Sequence, residues 1–236
     1  MMKSFLILIN LQMLLFSSQQ IVLVVSQDFS TSNAQLEYYE GSKKMAETIT
    51  VNIGKNGLGY GLGEVSLKQT QNDILKYEGD KKAPIGIFRL TDIYGYAHKS
   101  NYKMPYLHTS KELICVDDSS SPFYNQVIEA NGDEKSFEYM RRNDNQYELG
   151  VVVAHNTQAM SKRGSCIFLH VEKFDGAPTA GCTSMSLDEI KKITSWLDKS
   201  KNPILIQIPK SLSKEILKLY PELSHSKLLT DSMNLD

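Results

Sequence analysis

The sequence predicts a single, mostly-β α+β domain, and three observations carry that expectation. Apolar or alternating runs of strand length recur along the chain, glycine, proline and asparagine punctuate them, and one stretch beginning at residue 187 has helical apolar spacing. At 236 residues, with 41% hydrophobic and 22% charged side chains, the chain can bury one proper core. Its net charge of -1 gives no electrostatic reason to expect nucleic acid or an anionic membrane as partner.

Residues 1–26 differ in kind. Lys3 precedes an apolar stretch over residues 5–16, and after a polar interruption a second apolar run ends in small residues at Ser26. That pattern reads as a secretory signal peptide. The alternative is an uncleaved anchor, the only route by which a membrane enters as partner. Asn10, Gln12, Gln19 and Gln20 are costly in hydrocarbon and weigh against it. Under either reading the domain is expected outside the cytoplasm, secreted or periplasmic. Residues 27–47 are largely polar without a clear apolar period and read as a linker. The domain proper is expected over 48–210, followed by a last helix and a loosely held tail over 211–236.

Residues 48–53 alternate as a strand, residues 54–63 are a glycine-rich turn region, and residues 64–68 offer a second short strand. No Gly-Lys-Ser/Thr follows those glycines, so they read as hairpin turns rather than a phosphate cradle. Pro84, Gly86 and Phe88 mark a turn entering a strand over 87–90. Residues 94–106, with four interleaved tyrosines, read as a surface loop with aromatic cover, the alternative being one wall of a substrate cleft. Asp117 and Asp118 have no histidine or further carboxylate at ligand spacing, so a turn role is expected and no metal. Residues 135–142 suggest a short helix, and residues 149–154 an apolar strand ending in His155 and Asn156.

The chemistry concentrates in residues 164–185. Residues 166–171 form an apolar run bounded by glycine and charge, a buried strand whose period of two puts Cys166, Phe168 and His170 on one face. After a loop rich in Gly, Pro and Asp comes the small-residue turn Thr179-Ala180-Gly181-Cys182-Thr183. Ser186-Leu187-Asp188-Glu189 is a capping box that starts a helix at about Leu187. A cysteine attacks as thiolate, and a histidine partner or a helix N-terminus lowers its pKa. His170 and Cys182 are therefore the candidate catalytic pair, with Cys182 expected to be the thiol set apart by a lowered pKa. Gly181 lets the backbone approach a substrate closely, and the amides of Gly181, Cys182 and Thr183 are candidate oxyanion donors. The other two cysteines, Cys115 and Cys166, sit in apolar runs and read either as a disulfide or as two buried thiols.

The block running from Cys166 through His170 to Pro178-Thr-Ala-Gly-Cys182-Thr-Ser-Met resembles the active-site signature of the L,D-transpeptidase catalytic domain, the YkuD-like family. Residues 76–88, which carry Pro84, Gly86 and Phe88, residues 115–125 and residues 151–156 resemble further blocks of the family's stand-alone secreted branch. The likeness covers about residues 48–209. It implies a β-sandwich-like fold of mixed sheets and a cysteine acyltransferase acting on peptidoglycan stem peptides. In that chemistry Cys182 is the nucleophile, His170 is its base, and a backbone carbonyl orients the imidazole. Gly181, Thr183, Thr179, His155 and Asn156 are the oxyanion and substrate-binding candidates. No metal or organic cofactor is required. The chain departs from the family where Ala180 replaces a histidine and Ser184 an arginine, which bears on how the donor is held. The alternatives are an L,D-carboxypeptidase with water as acceptor and a non-catalytic wall-binding module.

Overall fold

The computed structural model describes residues 18–67, 69 and 73–231. Its organising feature is a set of long apolar strands buried on both faces. They are β1 (Gln20–Ser26), followed by β2 (Asn33–Glu40), β3 (Lys43–Lys44), β4 (Ile49–Asn52), β5 (Leu58–Tyr60) and the thirteen-residue β6 (Ala83–Gly95). Next come β7 (Tyr106–His108), β8 (Leu113–Val116), β9 (Val127–Glu129), β10 (Phe137–Tyr139) and β11 (Leu149–Val153). The site segment supplies β12 (Phe168–Val171), β13 (Thr183–Met185) and helix α1 (Leu187–Trp196). The chain then adds β14 (Ile204–Pro209), α2 (Ser213–Leu219) and α3 (Lys227–Thr230). The expected mostly-β architecture with mixed sheets is what the chain adopts.

Among the described residues the larger sheet has eleven strands and runs β1-β14-β6-β11-β12-β13-β4-β2-β3, with β5 and β7 pairing β6. An additional antiparallel pairing of β1 with β2, from Gln20↔Glu40 to Val25↔Gln35, joins the two arms of this path. The ladder closes on itself, which leaves few free edges. A separate antiparallel sheet, β10-β8-β9, makes a second layer.

The leader and linker boundaries need correcting. β1 is parallel to β14 from Ile21↔Ile204 to Ser26↔Pro209, and Ile21, Val22, Leu23 and Val24 are fully buried. Residues 20–26 are therefore the closing strand of the sheet and not part of a removable leader. Residues 1–17 of that predicted leader lie outside the described residues. Residues 27–47 hold β2 and β3, with Tyr38 and Tyr39 buried and Glu37 accepting from Lys44 Nζ at 2.6 Å and Ser226 Oγ at 2.7 Å. Residues 211–231 are anchored too, with Leu223, Ser226 and Leu229 buried, and the rest of the expected tail, residues 232–236, lies outside the described residues. Residues 135–142 form no helix: Phe137–Tyr139 are strand β10 and complete the ladder on β8, with irregular chain on either side. The helix at residue 187 is as expected, with the Ser186 side chain accepting from Glu189 N.

The apolar side chains of β1 each contribute about 1.5–3 kcal/mol on burial. Together they approach the about 5–15 kcal/mol by which a whole domain is stable. A chain starting at residue 18 should give one cooperative melting transition, and a chain starting at residue 27 should give none. Calorimetry on the two truncations checks this, and equal Tm values would return β1 to the leader.

Candidate active site

The pairing of β12 with β13 builds the site. These strands are parallel, with Leu169↔Thr183, His170↔Ser184 and Val171↔Met185 opposite each other. Since alternate residues share a face, His170 and Ser184 point one way and Thr183 the other. Cys182, just before β13, lies on the His170 face beside Phe168, whose N–H donates to Cys182 Sγ at 3.3 Å. The two candidate residues are thus diagonal neighbours on adjacent strands. Both line a cavity of about 330 Å³.

Gly181 and Thr179 line the same cavity, and the other three candidates do not. Thr183 turns into the core and donates to Gln207 Oε1 at 2.6 Å. Asn156, at φ 50°, holds its own loop by donating to Met160 O and Gly164 O, each at 3.0 Å. The His155 ring packs edge-on to Phe88, so close to Gly61 and Gly164 that a Cβ there would stand 2.9 and 3.1 Å from it, and among the described residues neither ring nitrogen has a partner. Burial, then the Lys76 and Arg163 charges, bring its pKa down to about 3, so it is a neutral packing group. The amide of Gly181 is also occupied, donating to Thr179 Oγ1 at 3.0 Å, and Thr179 Oγ1 donates to Cys182 O at 2.6 Å. At φ 151° with Lys82 O only 3.0 Å from where a Cβ would stand, position 181 needs glycine for this turn to sit against the opposite wall.

His170 is buried, and its Nδ1 lies 2.8 Å from Val171 O. A backbone carbonyl therefore fixes the ring, with the proton on Nδ1 and Nε2 left as the basic nitrogen. Burial brings the His170 pKa down to about 4, so the imidazole is neutral at pH 7. The Cys182 thiol departs from expectation. Burial first, and the nearby Glu138 carboxylate second, push its pKa up to about 12 against the opposing effects of Phe168 N–H, Lys76 and Tyr147. The histidine partner and the helix start behind it predict a lowered pKa. The turn instead folds under the wall made by residues 76–82, and only 7% of Cys182 is exposed.

Several cavity residues carried no sequence signal. Tyr147 is buried with its ring 5.3 Å from His170, 5.5 Å from Phe168 and 5.8 Å from Tyr94. Its hydroxyl donates to Glu138 Oε2 at 2.6 Å. Room for this aromatic cluster comes from Gly150, which pairs with both His170 and Tyr94; a Cβ there would stand 2.3 Å from the Tyr94 hydroxyl. Asp117, assigned a turn role, lines the cavity as well, whereas Asp118 accepts from Ser120 in a turn. Of the tyrosine-rich segment, Tyr94 packs in the cluster that holds Cys182, whereas Tyr96, Tyr102 and Tyr106 border a different cavity with Leu187 and Lys191. Among the described residues no three His, Cys, Asp or Glu side chains converge as metal ligands.

Cys115 and Cys166 form a disulfide and Cys182 is free. The bridge fastens the three-stranded sheet over the site, and the register Glu138↔Cys115 puts Glu138 beside the bridge. The YkuD family profile, described as the L,D-transpeptidase catalytic domain, matches residues 21–206, and the chain belongs to that family. The match starts inside β1, in agreement with the closing role of that strand. No curated protein and no solved structure gives a match.

Two measurements follow. Non-reducing denaturation should expose one thiol to a thiol reagent, mapping to Cys182; three thiols would dissolve the bridge. Iodoacetamide labelling of native Cys182 should be slow at pH 7, where about one thiol in 10⁵ is ionised, and should rise about tenfold per pH unit from 6 to 9. A plateau in that range would mean a thiolate–imidazolium pair at rest.

Proposed function

We propose that the protein is an extracytoplasmic cysteine acyltransferase acting on peptidoglycan stem peptides, with Cys182 as nucleophile and His170 as base. The observation that carries this reading is the adjacent placement of Cys182 and a carbonyl-fixed, neutral His170 in one cavity. The family supports an L,D-transpeptidase-type reaction on peptidoglycan peptides. Location outside the cytoplasm is supported by the Cys115–Cys166 disulfide, which persists in oxidising compartments.

The resting thiol is protonated, so attack and deprotonation are coupled. Cys182 Sγ bonds to the substrate carbonyl carbon as His170 Nε2 takes the thiol proton. The Cys182 amide is the oxyanion donor that remains, since the Gly181 amide serves Thr179 and Thr183 belongs to β13. The leaving amine takes the proton from His170, and an amine from a second stem resolves the thioester. The carbonyl of Val171 holds the imidazolium during the step, in the role a carboxylate fills elsewhere.

His170→Ala should retain the fold and lower the rate of acyl-enzyme formation on a stem tetrapeptide by roughly 10²–10⁴. In the unaltered protein the rate should decline only as pH falls toward about 4, where His170 takes up its proton. Intact-mass kinetics across pH measure both. A rate in His170→Ala within a few-fold of the parent would remove His170 as the base.

A further inference from the structure

The cavity holds a proton acceptor that thioester formation does not use. Glu138 reaches it from β10, and Tyr147 donates to its Oε2 at 2.6 Å. Among the described residues no donor reaches Oε1. The neighbouring cations are already matched: Arg142 lies 5.2 Å over the Tyr147 ring but is ion-paired with Asp144 at 2.6 Å, and Lys76 with Asp80 at 2.6 Å. Among the described residues Glu138 is thus a carboxylate held by one neutral hydroxyl, in the same cavity as Cys182. Such a group lacks a cationic partner, and an ammonium ion is the ligand that supplies one.

Resting on the acyl-transfer reading above, we propose that Glu138, held by Tyr147, receives the ammonium group of the acyl acceptor and deprotonates it, so that the thioester is resolved by an amine rather than by water. An alkylammonium has a pKa of about 10.4 and no lone pair at neutral pH, so it must lose a proton before it can attack. In the step, the ammonium gives one proton to the Glu138 carboxylate. The freed amine nitrogen bonds to the thioester carbonyl carbon and its second proton passes to His170. The carbon–sulfur bond breaks, Cys182 sulfur recovers the proton from His170, and Glu138 releases its own to solvent. Burial raises the Glu138 pKa, with Asp117 adding to it against the Tyr147 and Arg142 contributions, which makes the carboxylate a stronger acceptor. Water needs no such prior deprotonation, so the pair discriminates between the two fates of one acyl-enzyme.

The test is the ratio of amide to hydrolysis product formed from a stem tetrapeptide donor at pH 7, read by mass spectrometry with two competing nucleophiles. Nα-acetyllysinamide presents an ammonium ion; hydroxylamine is already neutral. Glu138→Gln should lower the ratio by roughly 10² with Nα-acetyllysinamide, the scale of a lost general base. With hydroxylamine the same variant should change it less than about threefold. Tyr147→Phe, which keeps the carboxylate but frees it, should lower the ratio about three- to tenfold with the lysine amine only, and it stands in should Glu138→Gln not fold. Equal losses with both nucleophiles, or none with either, overturn the assignment. If the unaltered protein forms no acyl-enzyme on the tetrapeptide, the acyl-transfer reading fails first and this one with it; an acyl-enzyme whose partition ignores Glu138 sinks only this one.

Discussion

The site depends on one constraint, the parallel pairing of β12 with β13. Parallel neighbours need a crossover, and residues 172–182 make it with a loop instead of a helix. That loop carries the Thr179–Cys182 turn, which is pinned from outside by Thr179 N to Ile53 O and Lys55 N to Thr179 O, both at 2.9 Å. A one-residue slip in the register would turn Cys182 into the core and Thr183 into the cavity. The buried bond from Thr183 to Gln207 on β14 opposes that slip, so a residue without access to the cavity fixes which residue has it.

Burial then sets the electrostatics. The same enclosure raises the Cys182 pKa and lowers that of His170, so both are neutral at rest. A thiol–imidazole pair in this state reacts only when something brings the proton transfer and the attack together. In the proposed reaction a substrate carbonyl in the oxyanion position does this, because charge developing on its oxygen is held by an amide in an enclosed site. The arrangement sacrifices resting nucleophilicity and protects the free thiol from adventitious oxidation, which follows thiolate character and exposure.

Much of this was legible in the sequence, for identifiable reasons. His170 and the helix after residue 186 were readable because a strand of period two and a capping box are local patterns. Residues 20–26 were misread because a strand buried on both faces has no alternation, and directly behind an apolar leader it looks like more of the same. Glu138 was placed on a helix because three residues of strand have too little period to outweigh a charged stretch, and only pairing with β8 makes them a strand. The burial of Cys182 was invisible for a similar reason. The side chains packed around it, Tyr94, Tyr147 and the Cys115–Cys166 bridge among them, come from distant parts of the chain, and a glycine turn is open or covered according to what packs on it.

The disulfide joins these observations. It closes a segment with a sequence separation of 51, a loop length for which chain entropy alone contributes about 4 kcal/mol. Cys166 adjoins β12 and Cys115 pairs with Glu138, so the bridge links the strand of the proposed base to the neighbour of the strand carrying the proposed amine acceptor. Asn125 reinforces the link by accepting from Cys166 N at 2.9 Å and donating to His155 O at 2.8 Å. The three-stranded sheet has little core of its own, and its buried Leu113, Cys115 and Met140 pack in the cluster that holds Cys182 and Phe168. Its position over the cavity therefore rests on that cluster, the covalent tie and the Asn125 and Tyr147 hydrogen bonds, which together fix the wall carrying Glu138 and Asp117.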